Sequence, residues 1–433
     1  MLDIRLFREN PEIIKHSQKN RGFPVEDVEK VINYDKEWRE LKEEVDNLRA
    51  KRNKISEEIN KIKKAGKNAE HLIKEAKEIP ELLSHKEAKM NHLKEQRDLL
   101  LREIPNIPDK SVPVGDASKN KVLKIYGKPK KTKFKPQDHA DILERLSLLD
   151  TKKASEVAGS RFYYLKGDLV KLNFAIINYA LDFLKKRGFT LMQTPYMLQR
   201  KVLEGALPFG AFGETIYKIE GEDLYLIGTA EHALNAYYMN EAIDSNKLPV
   251  RFAGVSPCFR KEAGSHGKDT KGIFRVHQFE KIEQFIFCKP EDVWKEFDLI
   301  LSNSIELFKG LEIPFRTVVL STGDMGRVPA KTIDIEGWFP SQNAYRELGS
   351  CSNCTDYQAR RSNVKYRTGE EAKFVATLNN TAIATERMMS CLVDNFQQAD
   401  GSIKIPKVLW KYTGFREIKS ENKAKQGRKK SKK

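Results

Sequence analysis

The sequence predicts an α+β protein: a long N-terminal antiparallel helical hairpin of the coiled-coil type, followed by a domain built on an antiparallel sheet flanked by helices. Three observations carry this. Apolar residues in the first hundred positions recur at steps of three and four. A proline-containing stretch at 104–120 then stops helix formation. Beyond about residue 136, short alternating segments and amphipathic helical segments are interspersed, the pattern of a mixed globular domain.

The first seam runs Val31, Tyr34, Trp38, Leu41, Val45, Leu48, Ile55, Ile59 and Ile62, with Arg52 in the one position that breaks it. A repeat near 3.5 residues keeps one stripe of a helix against a partner helix. The segment "KKAGKNAEH" interrupts the pattern at Gly66. A second seam follows with Ala76, Ile79, Leu83, Met90, Leu93, Arg97, Leu100 and Ile104. Pro80 lies inside it and lacks a backbone N–H, so a kink is expected there. Two seams of similar length joined by a short glycine-containing turn imply an antiparallel hairpin. Its helices of 35–40 residues would reach roughly 50–60 Å. The remaining positions are mostly charged or polar, so the hairpin buries a stripe and is expected to project as an arm.

Residues 1–110 are therefore read as one domain. "IPNIPDKSVPVGDASKN" contains three prolines and a Gly-Asp pair, and the basic "KIYGKPKKTKFKP" follows. Residues 111–135 read as an extended linker. In the domain at 136–415, "DILERLSLLD" and "DLVKLNFAIINYALDFLKKRG" read as helices, the second closed by Gly188. "FTLMQTPYM" reads as a strand broken by Pro195, and "LYLIG", "VRFAGVSPCFRKE", "IFRVHQFEKIEQFIFC" and "FRTVVLS" read as further strands. The tail at 416–433 is strongly basic and poor in apolar residues, and is expected to be disordered.

The chain has 433 residues and a net charge of +17, with 32% charged and 39% hydrophobic residues. Such a balance favours a polyanionic partner, nucleic acid first, although a cationic protein of a ribosome-rich cytosol has the same composition. Five scattered cysteines, an odd number, fit a reducing compartment rather than a disulfide framework. "MLDIRLFREN" has no signal-peptide pattern, and no apolar run is long enough to span a membrane. A cytoplasmic, membrane-free protein is expected.

The densest chemistry lies at 259–283, "FRKEAGSHGKDTKGIFRVHQFEKIE". Read as two strands, it places Arg260 and Glu262 on one face of the first, and Arg275, His277, Phe279, Lys281 and Glu283 on one face of the second. Arginine suits phosphate, an aromatic ring suits a base, and a carboxylate suits an ammonium group. Those parts fit a nucleotide beside an amino acid. They also fit a cross-strand ladder of ion pairs on a solvated sheet, and this stretch alone does not separate the two.

The same residues carry a resemblance. "FRKE" with "GIFRVHQFEKIE" resembles the second signature motif of the class II aminoacyl-tRNA synthetases, in the seryl form. "LKKRGFTLMQTPYM" resembles the first motif, ending at Pro195, and "TLNNTAIATERMMSCLVDNFQQADGSIKIPKVL" the third, with Arg387 as its arginine. "GTAEHAL" at 228–234 resembles the family's serine-site segment, "YRELGSCSNCTDYQARR" another ATP-site segment, and the helical hairpin its tRNA-binding arm. The resemblance spans nearly the whole chain apart from the tail.

It implies an ATP-dependent, AMP-forming ligase that makes seryl-adenylate and charges serine tRNA, with selenocysteine tRNA as a further acceptor. It also implies a homodimer. ATP would be bound by Arg260, Lys261, Glu262, Arg275, Val276, Phe279, Glu347, Leu348, Gly349, Ser350 and Arg387, with Arg260 and Arg387 the catalytic pair. Serine would be bound by Thr229, Ala230, Glu231, Glu283 and Thr381. Mg²⁺ would be held with ATP by Glu347 and Ser350, oxygen ligands that suit it. No structural zinc is expected, since Cys351 and Cys354 form a lone CxxC without a second pair. Two rival functions are a synthetase paralogue charging another acceptor and a non-enzymatic RNA-binding coiled-coil protein. The presence of Arg260, Glu262, Arg387 and the arm argues against the first, and the dense charge pattern at 259–283 against the second. His277 is assigned no chemistry.

Overall fold

A computed structural model describes residues 1–129, 132–262 and 271–419. The chain divides into two compact units, Met1–Pro105 and Asn106–Lys433.

In the first unit two short helices, α1 (Ile4–Glu9) and α2 (Pro11–Arg21), precede the long α3 (Glu26–Lys64) and α4 (Glu70–Glu103). At 39 residues α3 is about 58 Å long. The pairs Arg97–Asp35, Arg49–Glu87 and Lys51–Glu75 run in opposite chain directions, so α3 and α4 are antiparallel. Val45, Ile55, Leu72, Ile79 and Leu83 form the buried stripe, with Leu48, Ile59, Ile62, Ala76 and Met90 packed beside it. That is the pattern the 3.5-residue seams require. Near the end of the second seam Leu101 rather than Leu100 is the buried leucine. α4 continues through Pro80 as one helix, with Ile79 and Leu83 buried on either side. Packing of those two side chains on α3 offsets the one lost hydrogen bond.

Below the stripe sits a buried carboxylate. Asp35 is 1% exposed and accepts from Arg8 at 2.7 Å, Arg39 at 3.1 Å and Arg97 at 2.9 Å. Arg97 also lies 4.8 Å from the centre of the Trp38 ring. The position at which a seam carries Arg instead of Leu is thus explained by a charge partner on the facing helix.

The second unit is built on an eight-stranded sheet. Its strands are β1 (Lys121–Tyr126), β2 (Thr190–Gln193), β3 (Val250–Phe259), β4 (Gln278–Cys288), β5 (Phe315–Val319), β6 (Lys331–Phe339), β7 (Ala344–Thr355) and β8 (Ala376–Ala384), in the order β1-β5-β6-β7-β8-β4-β3-β2. All neighbours are antiparallel except β2 and β3. The helices α5 (Asp168–Lys186), α6 (Arg200–Ala206), α7 (Ala230–Asn235), α8 (Val293–Gly310), α9 (Tyr357–Ser362) and α10 (Thr385–Phe396) surround it.

The period-two alternation of β4 decides which face does what. Ile282 and Ile286 join Leu172, Ile176, Ile300, Leu307 and Met389 in the main core under α5, α8 and α10. Gln284, on the same parity, is buried and accepts from Asn303 on α8 at 2.8 Å. The odd positions face the other way. Phe285 and Phe287 cover a second cluster with Ala230 and Leu234 of α7, and Phe279, Lys281 and Glu283 are left to line a cavity.

Three expectations need correction. The segment 111–135 is not simply a linker: β1 within it pairs with β5 at the sheet edge. Ile418, inside the range expected to be a disordered tail, is buried and pairs with Ile403; residues 420–433 lie outside the described residues. The strand expected to begin at Ile273 begins at Gln278, and β3 ends at Phe259. Arg260, Glu262 and Arg275 therefore sit on the loops just beyond the paired strands. Most of the loop between them, 263–270, is likewise outside the described residues. Among the described residues no helix is long and apolar enough to cross a membrane.

Candidate active site

A cavity of about 640 Å³ opens on the sheet face away from α5 and α8. Every residue expected to bind ATP or serine lines it except Lys261 and Ala230. Lys261 is exposed, with Nζ 5.7 Å from the Tyr217 ring centre. Ala230 is fully buried behind the cavity, because α7 crosses β3 closely there. A Cβ on Gly254 of β3 would come within 2.9 Å of the Ala230 Cβ. Its methyl packs; it does not face the site.

The basic part of the cavity comes from three segments. Arg260 donates through Nε to the Gly228 carbonyl at 3.1 Å and lies 5.2 Å from the Phe279 ring centre. Arg275 pairs with Glu262 at 2.8 Å, a contact made possible by the positive φ of Glu262, which turns the chain as it leaves β3. Arg387, at the start of α10, pairs with Glu347 of β7 at 3.0 Å and lies 5.4 Å from the Phe274 ring centre. The Arg387 charge holds the Glu347 carboxyl below its usual value. Beside it, burial and the Glu347 charge push Asp334 well above the carboxylate range, and its Oδ1 is buried without a hydrogen-bond partner. Gly349 fits closely here: a Cβ would stand 3.1 Å from the Thr381 carbonyl oxygen, tighter than ordinary contact.

The second part gathers around Thr229. Its hydroxyl donates to Glu283 at 3.4 Å, and Glu283 is ion-paired with Lys281. Glu231 accepts at Oε1 from Gln358 at 2.7 Å and Asn379 at 3.0 Å. Burial, reinforced by the Glu283 charge, raises the Glu231 carboxyl to about 7. His232 is driven down to about 3 by burial and by Arg260 and Lys281, so it is neutral. Thr381 lines the same wall.

Sequence reasoning passed over Lys281, Asp334, Asn379 and Glu386, all of which line the cavity. Lys281 was legible from its parity with Phe279 and Glu283. Asn379 and Glu386 lie inside the segment that resembles the third motif but have no role assigned there, and Asp334 alternates with apolar residues as any strand carboxylate does. His277 lies outside the lining; its Nδ1 is 2.8 Å from the Arg260 carbonyl and its ring packs near Phe162. Cys351 and Cys354, three apart on β7, face opposite sides: one is in the main core, the other lines the cavity. Among the described residues no group of three or more His, Cys, Asp or Glu is placed to hold a metal.

Residues 215–396 match the family model for the tRNA synthetase class II core domain (G, H, P, S and T). The sheet and its charged cavity are thus those of a class II aminoacyl-tRNA synthetase. Residues 1–108 match the seryl-tRNA synthetase N-terminal domain. The serine–tRNA ligase of Thermococcus sibiricus is 46% identical, with 96% of this chain and 97% of the relative aligned. That of Nitrosopumilus maritimus is 47% identical, covering 96% and 99%. The chain belongs to the seryl-tRNA synthetase family. Among solved structures it is similar to the Pyrococcus horikoshii seryl-tRNA synthetase complexed with ATP, with TM-score 0.92, 46% identity and coverage of 96% and 99%. A cytoplasmic serine–tRNA ligase from Naegleria fowleri in complex with AMP gives 0.87, 40% identity and coverage of 98% and 99%. A Giardia lamblia prolyl-tRNA synthetase, at 15% identity and TM-score 0.54, with 63% of this chain and 55% of that one aligned, shares the fold alone.

Proposed function

We propose that the cavity joins serine to ATP as seryl-adenylate and then passes the seryl group to the terminal adenosine of serine tRNA. One observation carries this reading. A single cavity holds Arg260, Arg275 and Arg387 with the Phe279 ring, and also a cluster of hydroxyls and carboxylates around Thr229. The first set suits a nucleotide triphosphate and the second a small hydroxylated amino acid. The complexes of the relatives with ATP and AMP support the nucleotide assignment.

In the first step a serine carboxylate oxygen attacks the α-phosphorus, and its bond to the pyrophosphate oxygen breaks. No proton has to move, so the protein positions the partners and balances charge. Arg260 contacts the α-phosphate; its bond to Gly228 sets it beside Thr229 and hence beside the attacking carboxylate. Phe279 and the Val276 backbone receive the adenine, with Glu262 near it. Arg275 lies by the phosphates and Arg387 at the γ-phosphate. Leu348 and Gly349 complete the wall. Mg²⁺ neutralises phosphate charge when bound; Glu347 and Ser350 fit it, Glu347 being kept ionised and Asp334 offering an unpartnered oxygen nearby.

Thr229, Glu231, Glu283 and Thr381 receive serine: its ammonium at the carboxylates, with Glu283 foremost, and its side-chain hydroxyl at Thr381. Alanine would leave that hydroxyl partner unpaired in a buried site, and threonine is excluded by size. In the second step the adenosine hydroxyl oxygen attacks the seryl carbonyl carbon, the bond from that carbon to the phosphate oxygen breaks, and AMP leaves with the hydroxyl proton on its phosphate.

The α3–α4 arm tracks the long variable arm of serine tRNA through phosphate contacts, by shape more than by sequence. A homodimer forms through the segment around β2 and Pro195; the exposed Leu191 and Met197 support this. A cytoplasmic location rests on the Naegleria relative.

Pyrophosphate exchange into ATP, run with a panel of amino acids, tests the assignment. Exchange with serine is expected. Exchange with threonine or proline but not serine would overturn it.

A further inference from the structure

Behind the serine pocket lies a side chain that does not line the cavity and yet bonds three of the elements that form it. Gln358 on α9 is fully buried and absent from the cavity lining. Its Nε2 donates to Glu231 Oε1 at 2.7 Å and to the Ala206 carbonyl at 3.1 Å. Its Oε1 accepts from the Thr377 hydroxyl at 2.7 Å. The Glu231 carboxylate and the Ala206 carbonyl together fix which end of the carboxamide is nitrogen: reversing it would set its oxygen against two acceptors.

This arrangement treats the two oxygens of Glu231 differently. Oε1 receives two donors, Gln358 and Asn379, at 2.7 and 3.0 Å. No described residue donates to Oε2, and Glu231 lines the cavity. The same Nε2 holds Ala206, at the end of α6. Ala206 and Leu207 line the cavity too, and Arg361 donates to the Glu204 and Leu207 carbonyls at 2.8 and 2.6 Å. Two α9 side chains therefore hold the α6 segment, and one of them holds Glu231 as well.

We propose that Gln358 is a positioning residue for serine recognition: it occupies one oxygen of Glu231, presents the other to a donor group of serine, and ties that carboxylate to the Ala206–Leu207 wall. This rests on reading Glu231 as a serine contact. It deepens that reading by naming the residue that orients the carboxylate.

Gln358→Met removes both polar atoms at similar length. In pyrophosphate exchange the serine KM rises on the order of ten- to a hundredfold, the loss of a buried hydrogen bond to a charged acceptor. The ATP KM stays within about twofold, since no ATP-side residue contacts Gln358. The pH profile supplies a readout that a merely structural role would not move. Glu231 is faced by Glu283 and Lys281 from β4, by Arg260 beyond β3 and by Cys354 from β7. The Gln358 donor lowers the Glu231 pKa. Its loss moves the acid limb of kcat/KM for serine to higher pH and leaves the limb for ATP in place. Equal rises in the serine and ATP KM, or an unchanged serine KM, would overturn the proposal. Should Gln358→Met not fold, Thr377→Val removes the donor that holds the carboxamide oxygen and loosens the side chain's grip on Glu231, and the same readouts decide with the same outcomes. Glu231→Gln separates the two levels. If it leaves the serine KM unchanged, the reading of Glu231 falls. If it raises the serine KM while Gln358→Met does not, only the role of Gln358 falls.

Discussion

Arg387 and Glu347, forty residues apart in sequence, are joined twice: guanidinium to carboxylate at 3.0 Å and guanidinium to the Glu347 backbone carbonyl at 3.3 Å. The pair ties the first turn of α10 to β7 across the mouth of the cavity's basic part. Each partner stabilises the charged state of the other, Glu347 held below and Arg387 held above its ordinary value.

Replacing Arg387 with alanine removes the donor proposed for the γ-phosphate and leaves Glu347 without its cation. The kcat/KM for ATP in pyrophosphate exchange is expected to fall by about 10²–10³, the range for losing one preorganised donor to a charged transition state. The serine KM should move little, because Arg387 does not contact the residues around Thr229. A fall shared equally by both substrates would contradict the assigned role.

Glu386 makes stability depend on pH. Burial lifts its carboxyl to about 7, against donors from Tyr163 at 2.5 Å and the Glu280 backbone at 2.9 Å. A folded pKa above the unfolded value means that the fold favours the protonated form. The contribution is complete below about pH 4.5 and is lost as pH rises through about 7. Glu231 at about 7 and Asp394 at about 6 act with the same sign. Glu386→Gln fixes a neutral side chain there. Its Tm should decline less steeply than the parent's between about pH 5 and 8. Parallel curves would show that Glu386 does not titrate in this window.

Asp35 acts in the opposite direction. Burial alone raises its carboxyl, but the hydrogen bonds and charges of Arg8 and Arg97 bring it below its ordinary value. Its contribution is present above the unfolded pKa and is lost as pH falls through the folded one. Asp35→Asn leaves Arg97, 8% exposed, with Asp98 as its remaining carboxylate partner, and Arg8 without the Asp35 charge. A cost of about 3 kcal/mol to the first unit is expected, the lower end for breaking a buried ion pair. Urea unfolding followed by circular dichroism reads it; an unshifted midpoint would show that solvent replaces the carboxylate.

Shortening the arm separates recognition from chemistry. Removing residues 45–87 and joining the helices by a short glycine linker keeps the Asp35 cluster and cuts away most of the buried stripe. Pyrophosphate exchange with serine should stay within about twofold, and tRNA charging should fall more than about tenfold as phosphate contacts are lost. If both activities fell together, the arm would serve folding rather than recognition.

The helical hairpin could be read from sequence because its signal is local. Val45, Ile55, Ile79 and Leu83 repeat with the period of the helices they stabilise. Much of the candidate site was legible for a related reason: Arg260, Phe279, Glu283 and Arg387 sit in long runs whose residue types and spacing are unusual outside one family. Where strands end was not legible. Arg275 and Glu262 read as strand residues by parity, yet pairing stops at Phe259 and Gln278, and only then can their side chains meet. Ala230 stands in a segment that looks like a substrate site, but the close approach of Gly254 puts its methyl behind the wall.

The sequence by itself determined the two-part organisation, the seams of the arm, and the residue types that hold a nucleotide and a small amino acid. Those follow from periodicity and from side-chain chemistry, which are properties of neighbours along the chain. Only the tertiary structure decided which carboxylates are ionised, which oxygen of Glu231 is free, and that Gln358, Thr377 and Ala206 form one network with it. These depend on burial and on distances between segments 19 to 152 residues apart. Such contacts arise when β8, α6, α7 and α9 pack together, and no local pattern records them.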